Sequence, residues 1–303
     1  WNSELEPWAL GNFVVFLSFG RYFACKNKKI IIYFIVNNKS TIISNYPKKI
    51  FLGWFENLSK IFLGKKLLRF KILNKKNFFE IKHSKHSFLI FENLVKNKKR
   101  VGTKIPYVIN SLAKIENKNF RNKLLINEKL FAKYTNKKID NFIKEKYVCL
   151  IFRAAKKNIN SRNTPKKVFL KSVEKIYKKF KYHNILIISD KFGCNKAKGY
   201  MNKKFKNVFY CKDFSKSLYS DIFLQLSSKV TIASHFAGGI LPLSWVSSKP
   251  YLTSTYYSPR LRIENADPKP YFIWGNEYNQ VEQTSIKIDD FYSLIESVDS
   301  KVY

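Results

Sequence analysis

The chain has 303 residues, of which 45% are hydrophobic and 17% aromatic, enough for one large domain or two of about 150 residues each. This composition excludes an intrinsically disordered protein. There are 57 Lys and Arg against 21 Asp and Glu, a formal net charge of +36. Part of the lysine excess is ascribed to AT-rich codons, because Asn, Ile, Phe and Tyr are abundant too. The remaining excess predicts anionic partners.

The four cysteines are far apart, with no C-x-x-C pair and no His at ligand spacing; they are Cys25, Cys149, Cys194 and Cys211. This argues against a disulfide framework and against structural zinc, so a reducing cytosol is the expected setting. No apolar run approaches the roughly 18 to 20 residues that a membrane span needs. The chain begins at Trp1 without Met, so we expect its true N-terminus to be missing.

The first half is predicted to form an α/β domain of residues 1–146. Leu10-Gly11-Asn12 reads as a turn before a helix, and the apolar residues of that helix share one face: Phe13, Phe16, Leu17, Phe23 and Ala24. A buried strand follows at 30–36. Further elements are a helix at 51–62, strands at 67–72 and 88–91, and a helical segment at 127–146. The strand that should precede the first helix is absent, so this domain is predicted to be incomplete.

The second half, residues 147–303, alternates strand-like and helix-like segments. Strands are predicted at 147–152, 184–189, 207–210 and 230–233, with a last one at 250–255. Thr164-Pro165 is predicted to be the N-cap and first residue of a helix with Phe169, Val173, Ile176, Tyr177 and Phe180 on one face. Ser215 is expected to cap a later helix. This alternation is typical of a doubly wound, mostly parallel sheet.

A turn at 234–239 is the strongest candidate for ligand binding. It follows a strand, it contains Ser234 and His235, and its pair Gly238-Gly239 lets backbone approach a ligand closely. The helix N-terminus predicted after it suits a diphosphate, and ligands of open α/β sheets bind beyond the carboxyl ends of the strands. The alternative is that the glycines permit tight helix packing and that His235 is a packed loop residue.

A second candidate is a pair of arginines in a chain that rarely uses Arg. Arg153 follows the buried strand at 147–152, and Arg162-Asn163 ends the polar loop behind it. Both would face the edge where the 234–239 turn lies, which predicts phosphate clamping by two guanidinium groups. The alternative for each is a surface arginine paired with a nearby carboxylate.

These residues, in this order, resemble a GT-B-like family of bacterial cell-surface polysaccharide transferases and the fucosyltransferases related to it. The matching pieces cover about half the chain: Arg153, Arg162-Asn163, Asp221-Ile222-Phe223-Leu224, Ser234 to Gly238 and Lys249-Pro250. The opening Leu10-Gly11-Asn12 with Phe19-Gly20-Arg21 resembles the L-G-N…F-G-R start of the fucosyltransferases. The resemblance implies that Gly11, Asn12 and Arg21 lie on the acceptor side of the cleft.

The resemblance implies two Rossmann-like domains facing a cleft, the first truncated at its N-terminus. It also implies a glycosyltransferase that moves a sugar from a nucleotide-diphosphate donor to a glycan or lipid-linked acceptor in envelope polysaccharide synthesis. Such an enzyme is cytoplasmic, and this basic surface would favour peripheral contact with the anionic inner face of the membrane. Beyond the nucleotide-sugar substrate no cofactor is implied, and the absence of D-x-D from the sequence predicts no metal.

Two departures from the family leave the catalytic base unidentified. Ile151 replaces the family's His, and Asn12 stands where related heptosyltransferases carry an acid. Two alternatives therefore stay open. One is a catalytically inactive transferase-like fold; the other is a nucleic-acid-binding protein, for which Lys179-Phe180-Lys181-Tyr182 and Lys203-Lys204-Phe205-Lys206 interleave bases with aromatics. His83, His86 and His183 are interpreted as solvated or structural.

Overall fold

A computed structural model describes residues 10–11, 13–14, 17, 30–35, 48–63, 68–73, 126, 128–154, 163–201, 205–233, 243, 251–255, 271–275 and 282–285. The chain divides into two compact units, Trp1–Ile126 and Asn127–Tyr303. The second unit includes residues 127–146, which the sequence analysis placed in the first domain.

The first unit contains a pair of parallel strands and the helix between them in the chain. Strand β1, Ile30–Ile35, pairs with β2, Leu68–Leu73, from Ile30 opposite Leu68 to Ile35 opposite Leu73. Helix α1 spans Lys48–Leu63. The predicted strands at 30–36 and 67–72 and the predicted helix at 51–62 are confirmed. The strand predicted at 88–91 lies outside the described residues.

Helix α1 is held by an apolar face. Its residues Phe51, Phe55, Leu58 and Phe62 are buried at the spacing of one helix side. The ring of Phe13 stacks on that of Phe55, with 3.8 Å between the ring centroids.

The second unit alternates strands with helices, as predicted. After a 3₁₀ helix, Glu128–Tyr134, its elements are α2 (Lys137–Phe142), β3 (Tyr147–Ile151), α3 (Lys166–Lys179), β4 (Asn184–Ile188), α4 (Lys191–Tyr200), β5 (Val208–Tyr210), α5 (Cys211–Phe214), α6 (Leu218–Ser227), β6 (Thr231–Ala233), β7 (Tyr251–Thr255), β8 (Tyr271–Gly275) and β9 (Glu282–Ser285).

The described strands of this unit form one sheet in the order β5-β4-β3-β6-β7-β8-β9. The first five are parallel neighbours, whereas β8 pairs antiparallel with β7 and β9 antiparallel with β8. The α/β prediction is confirmed here. The prediction that the strand at 250–255 is the last one is wrong. Strand β8 is Tyr-Phe-Ile-Trp-Gly, an apolar run that the sequence prediction overlooked. Strand β9 is Glu-Gln-Thr-Ser, a polar segment that hydrophobic periodicity cannot detect.

The core of the sheet lies around β3. All five residues of β3 are buried, because a central parallel strand is covered on both faces. Helix α3 packs on it through the buried residues Phe169, Val173 and Ile176, followed by the buried C-cap residue Phe180. The Phe152 and Phe169 rings meet edge to face at 4.8 Å.

Three predicted helix boundaries are corrected, two of them at side-chain capping hydrogen bonds. The segment 127–146 is interrupted at Thr135 and Asn136, because Asn136 caps α2 by accepting from the N–H groups of Lys138 and Ile139. Ser217 rather than Ser215 caps α6, accepting from the N–H of Ser220. Pro165, not Thr164, is the N-cap of α3, with no side-chain capping bond.

The segment before β3 belongs to the second unit because of its contacts with α6. The Tyr134 and Tyr219 rings stack at 4.5 Å, and the Ser220 hydroxyl donates to the Tyr134 carbonyl at 2.6 Å. Asn136 donates to the Phe214 carbonyl at 3.0 Å.

Candidate functional site

The strand order of the second unit reverses between β3 and β6. From β3 the chain moves through β4 to β5 on one side of the sheet, and it then returns to place β6 and β7 on the other side of β3. Leu150 of β3 lies opposite Ile232 of β6, and both strands end within a few residues of that pair. Such a switch point is where open α/β sheets bind ligands, beyond the carboxyl ends of the strands.

Arg153 lies at this switch point. It comes two residues after the end of β3, and Phe152 still donates to the Ile188 carbonyl of β4 at 3.0 Å. The backbone of Arg153 is fixed by Thr164: its N–H donates to the threonine hydroxyl at 3.1 Å, and its carbonyl accepts from the threonine N–H at 2.9 Å. Thr164 is buried. These two hydrogen bonds close the base of the loop between β3 and α3.

The predicted donor residues are only partly described. Asn163 directly precedes Thr164, so it lies at the same loop base as Arg153, and both residues are half-buried. Four of the others follow β6, and Arg162 is in the loop; all five lie outside the described residues: Arg162, Ser234, His235, Gly238 and Gly239. Their placement beside Arg153 stays a prediction.

The predicted acceptor residues belong to the first unit. Gly11 is buried and helical, as is Leu10, so the prediction of a turn at Leu10 and Gly11 is wrong. Neither residue is incompatible with a helix, because glycine lowers helix stability without excluding a helical conformation. Asn12 and Arg21 lie outside the described residues. The common cleft of the two units stays a prediction.

Two helix N-termini near this sheet edge differ in charge. Helix α4 begins behind β4 with Asp190, whose carboxylate accepts from the Gly193 N–H at 2.7 Å. Helix α3, behind Arg153, has no acidic residue in its first turn and starts with Lys166-Lys167. A helix N-terminus is electropositive, and here the two lysines of the first turn add to that charge. The start of α3 thus presents positive charge, whereas α4 is already capped by its own carboxylate.

The backbone after β4 is tightly packed at Gly193. A Cβ atom at this position would lie 1.8 Å from the Ser189 hydroxyl oxygen and 2.9 Å from the Ser189 Cβ. Glycine is therefore required for the first turn of α4 to fit against the end of β4.

Beyond β5 lies a cluster that sequence reasoning missed. The thiols of Cys194 and Cys211 are buried with 3.8 Å between the sulfur atoms. Beside them the Lys212 ammonium pairs with the carboxylate of Asp221. Burial raises the pKa of Asp221, while Lys212 opposes that shift. Asp221 is the first residue of the D-I-F-L segment in the resemblance, and all four residues of that segment are buried in α6.

Two observations bear on metal and membrane. Within the part of the chain that the structure describes, no three His, Cys, Asp or Glu side chains cluster closely enough to hold a metal ion. Among the same residues, no helix combines the length and the apolar character needed to cross a bilayer.

Comparison with known proteins assigns no family to this chain. No family model matches the sequence, and no curated protein matches it. One solved structure, a Listeria monocytogenes protein assigned as a UDP-N-acetylglucosamine 2-epimerase, matches with a TM-score of 0.29 and 11% identity over 74% of this chain. The match spans 56% of that protein's length. At this TM-score the likeness supports neither a shared fold nor a shared activity. The fold of the second unit is assigned from its own strand order, which is that of a doubly wound α/β structure with its switch point at Arg153.

Proposed function

We propose that the chain is a glycosyltransferase that moves a sugar from a nucleotide-diphosphate donor to a glycan or lipid-linked acceptor. The single observation that carries the proposal is the position of Arg153 at the switch point of a doubly wound sheet. The order of the motifs, which resembles that of the polysaccharide transferases, supports a nucleotide sugar as the class of donor substrate. The donor half is assigned to the second unit, and the acceptor half to the first.

The chemistry proposed for Arg153 is stabilisation of the diphosphate. When the sugar leaves, negative charge develops on the leaving phosphate, and fixed cationic donors lower the barrier if they are already in place. The two backbone hydrogen bonds to Thr164 fix the main chain from which the Arg153 side chain extends. The first turn of α3, with Lys166 and Lys167, supplies further positive charge. Arg162, Asn163, Ser234, His235, Gly238 and Gly239 are proposed as further donor contacts.

Isothermal titration of the full chain with GDP and with UDP tests this proposal. Arg153→Ala should weaken binding by about 1.5 to 3 kcal/mol, the range for a charge-assisted hydrogen bond. Arg153→Lys should recover only part of the loss, because an ammonium group cannot make the bidentate contacts of a guanidinium.

The matched control is Lys181→Ala. Lys181 is exposed in the turn before Asn184, where β4 begins, and this is the opposite edge of the sheet from Arg153. Its removal also deletes one positive charge, so it reports the general electrostatic effect alone. Binding of neither nucleotide, or equal losses from Arg153→Ala and Lys181→Ala, would reject the donor site. Melting temperatures of both variants show whether either loss reflects unfolding.

A second candidate function is nucleic-acid binding, and two contacts favour it. The Tyr177 and Phe205 rings meet edge to face at 5.0 Å, and Asn207 donates to the His183 carbonyl at 2.7 Å. The described residues of the second lysine-aromatic segment, Phe205 and Lys206, therefore adjoin the first segment. Tyr182 is 93% exposed in this surface. One part of the prediction is wrong: Phe180 is fully buried in the core and cannot stack on a base.

Fluorescence anisotropy with a labelled single-stranded oligonucleotide tests this candidate. If the surface binds bases, Tyr182→Ala should cost about 1 to 3 kcal/mol, the value of one stacking contact, and affinity should fall steeply with salt. Arg153→Ala, at the other edge of the sheet, should leave the affinity unchanged. Binding that ignores Tyr182 and responds only to total charge would reject a specific nucleic-acid surface.

A further inference from the structure

Two thiols that the proposed transferase chemistry does not use lie in contact in the second unit. Cys194 is in the first turns of α4, Cys211 begins α5, and their sulfur atoms are 3.8 Å apart. Both sulfurs also approach the same acceptor, the Ser189 carbonyl, at 3.7 Å from Cys194 and 3.2 Å from Cys211. The side chains thus converge on one point from two different helices.

We propose that Cys194 and Cys211 are a modification site, a dithiol that hydrogen peroxide oxidises to a reversible disulfide. A disulfide needs about 2.0 Å between its sulfur atoms, so the two sulfur atoms must approach each other from 3.8 Å to that distance. The residues around the pair favour reaction at Cys194. The hydrogen bond from Cys211 lowers the pKa of Cys194, and the backbone N–H of Lys212 acts in the same direction. The thiolate is the nucleophilic form of cysteine.

Burial selects the oxidant. Cys194 is 1% exposed and Cys211 is fully buried, which excludes a bulky disulfide reagent from the sulfur atoms. Hydrogen peroxide is close to water in size, so it needs only a small opening. In the first step the Cys194 sulfur attacks one peroxide oxygen, the O–O bond breaks, and sulfenic acid forms while hydroxide takes the Cys194 proton and leaves as water.

In the second step the Cys211 sulfur attacks the Cys194 sulfur. The S–S bond forms, the S–O bond breaks, and the departing hydroxide takes the Cys211 proton to form a second water. Each sulfur loses one electron, and the peroxide gains two. Because the resolving thiol already touches the attacking one, closure competes well with further oxidation of the sulfenic acid.

The third described cysteine provides the matched comparison. Cys149 is also buried, and its thiol likewise contacts a carbonyl, that of Leu224 at 3.7 Å. Burial raises the pKa of Cys149 to about 12. It shares burial with the pair, but its pKa is raised rather than lowered, and neither of the other two described cysteines is its hydrogen-bond partner.

The test is intact and peptide mass spectrometry of the full chain after peroxide treatment. We expect a loss of two hydrogen atoms, a tryptic cross-link between the Cys194 and Cys211 peptides, and reversal of both by dithiothreitol. Cys149→Ser should leave the cross-link in place, whereas Cys194→Ser and Cys211→Ser should each abolish it. Mapping of the wild-type chain decides the question even if a serine variant fails to fold.

A second readout uses stability. The disulfide closes a loop between residues 194 and 211 and should raise the melting temperature of the oxidised wild-type chain by several degrees. Dithiothreitol should return it to the starting value. Absence of the cross-link, a cross-link through Cys25 or Cys149 instead, or irreversible sulfonic acid at Cys194 would each overturn the proposal.

Discussion

Removal of Lys212 should strongly destabilise the second unit. The Lys212 ammonium pairs with the Asp221 carboxylate, and their side chains are 19% and 8% exposed. Lys212→Met keeps the length of the side chain but leaves the buried carboxylate without its ion-pair partner. Breaking a buried pair in this way costs about 3 to 5 kcal/mol. For a unit of this size that corresponds to a fall in melting temperature of about 6 to 20 °C.

The cost should depend on pH in a defined direction. Burial raises the pKa of Asp221 in the folded chain, so in the window above the unfolded value of about 3.9 the folded state binds more protons than the unfolded one. Stability then falls as the pH rises through that window. Without Lys212 the folded pKa rises further. The loss caused by Lys212→Met should therefore be small near about pH 4 and larger near about pH 7.5.

The matched control is a second lysine-carboxylate pair in the same unit. Lys198 contacts Asp213 at 2.6 Å, but these side chains are 42% and 47% exposed. Lys198→Met should cost no more than about 1 kcal/mol, as for other exposed pairs. Thermal unfolding of both variants at two pH values is the measurement, with Asp221→Asn expected to restore part of the loss in Lys212→Met. Equal losses for Lys212 and Lys198, or a loss independent of pH, would refute the reasoning.

The remaining predictions concern packing, the loop base and metal. Gly193→Ala should destabilise the chain by about 1 to 3 kcal/mol through overpacking, because its new Cβ meets Ser189. Gly199→Ala in the same helix, with nothing within 4 Å, should stabilise it by up to about 1 kcal/mol; chemical denaturation that ranks the two the other way would contradict this. Thr164→Val should cost about 1 kcal/mol, because it leaves the partly buried N–H of Arg153 without its acceptor; Thr164→Ser should cost clearly less in the same assay. Sugar transfer by the protein should persist in excess EDTA, since arginine and a helix N-terminus can stabilise the leaving diphosphate; activity lost with EDTA and restored by Mn²⁺ would point to an acidic metal site.

The second unit was largely predictable from the sequence because its strands are short apolar runs separated by helical periodicity. Residues 147–151 show this directly: a strand buried on both faces must be apolar throughout. Hydrophobic periodicity could not predict how the strands pair in the sheet. It gave no sign that β8 and β9 extend the sheet in antiparallel fashion. Helix caps were assigned one residue early at Pro165, and two residues early at Ser217, where two serines compete for the cap.

The candidate site was predictable only as far as the position of Arg153. An arginine directly after an apolar strand lies at the carboxyl edge by construction, and the strand order then decides whether that edge is a switch point. The Thr164 contact could not be foreseen, since a threonine before a proline reads more simply as a helix cap. The contact of Cys194 with Cys211 could not be foreseen either. The two residues are seventeen positions apart in the sequence and meet because β4 pairs with β5. Motifs based on cysteine spacing do not predict such a contact.

The central position of β3 has a consequence for motion at the site. This strand is hydrogen-bonded on one side to β4 and on the other to β6, so it cannot detach unless both ladders break. Amide hydrogens in such a strand exchange with solvent only when the whole cooperative unit opens. The main chain leading into Arg153 is thus fixed over the lifetime of the folded unit, and any ligand-driven rearrangement at this edge must come from the side chain and the loop rather than from the strand that carries them.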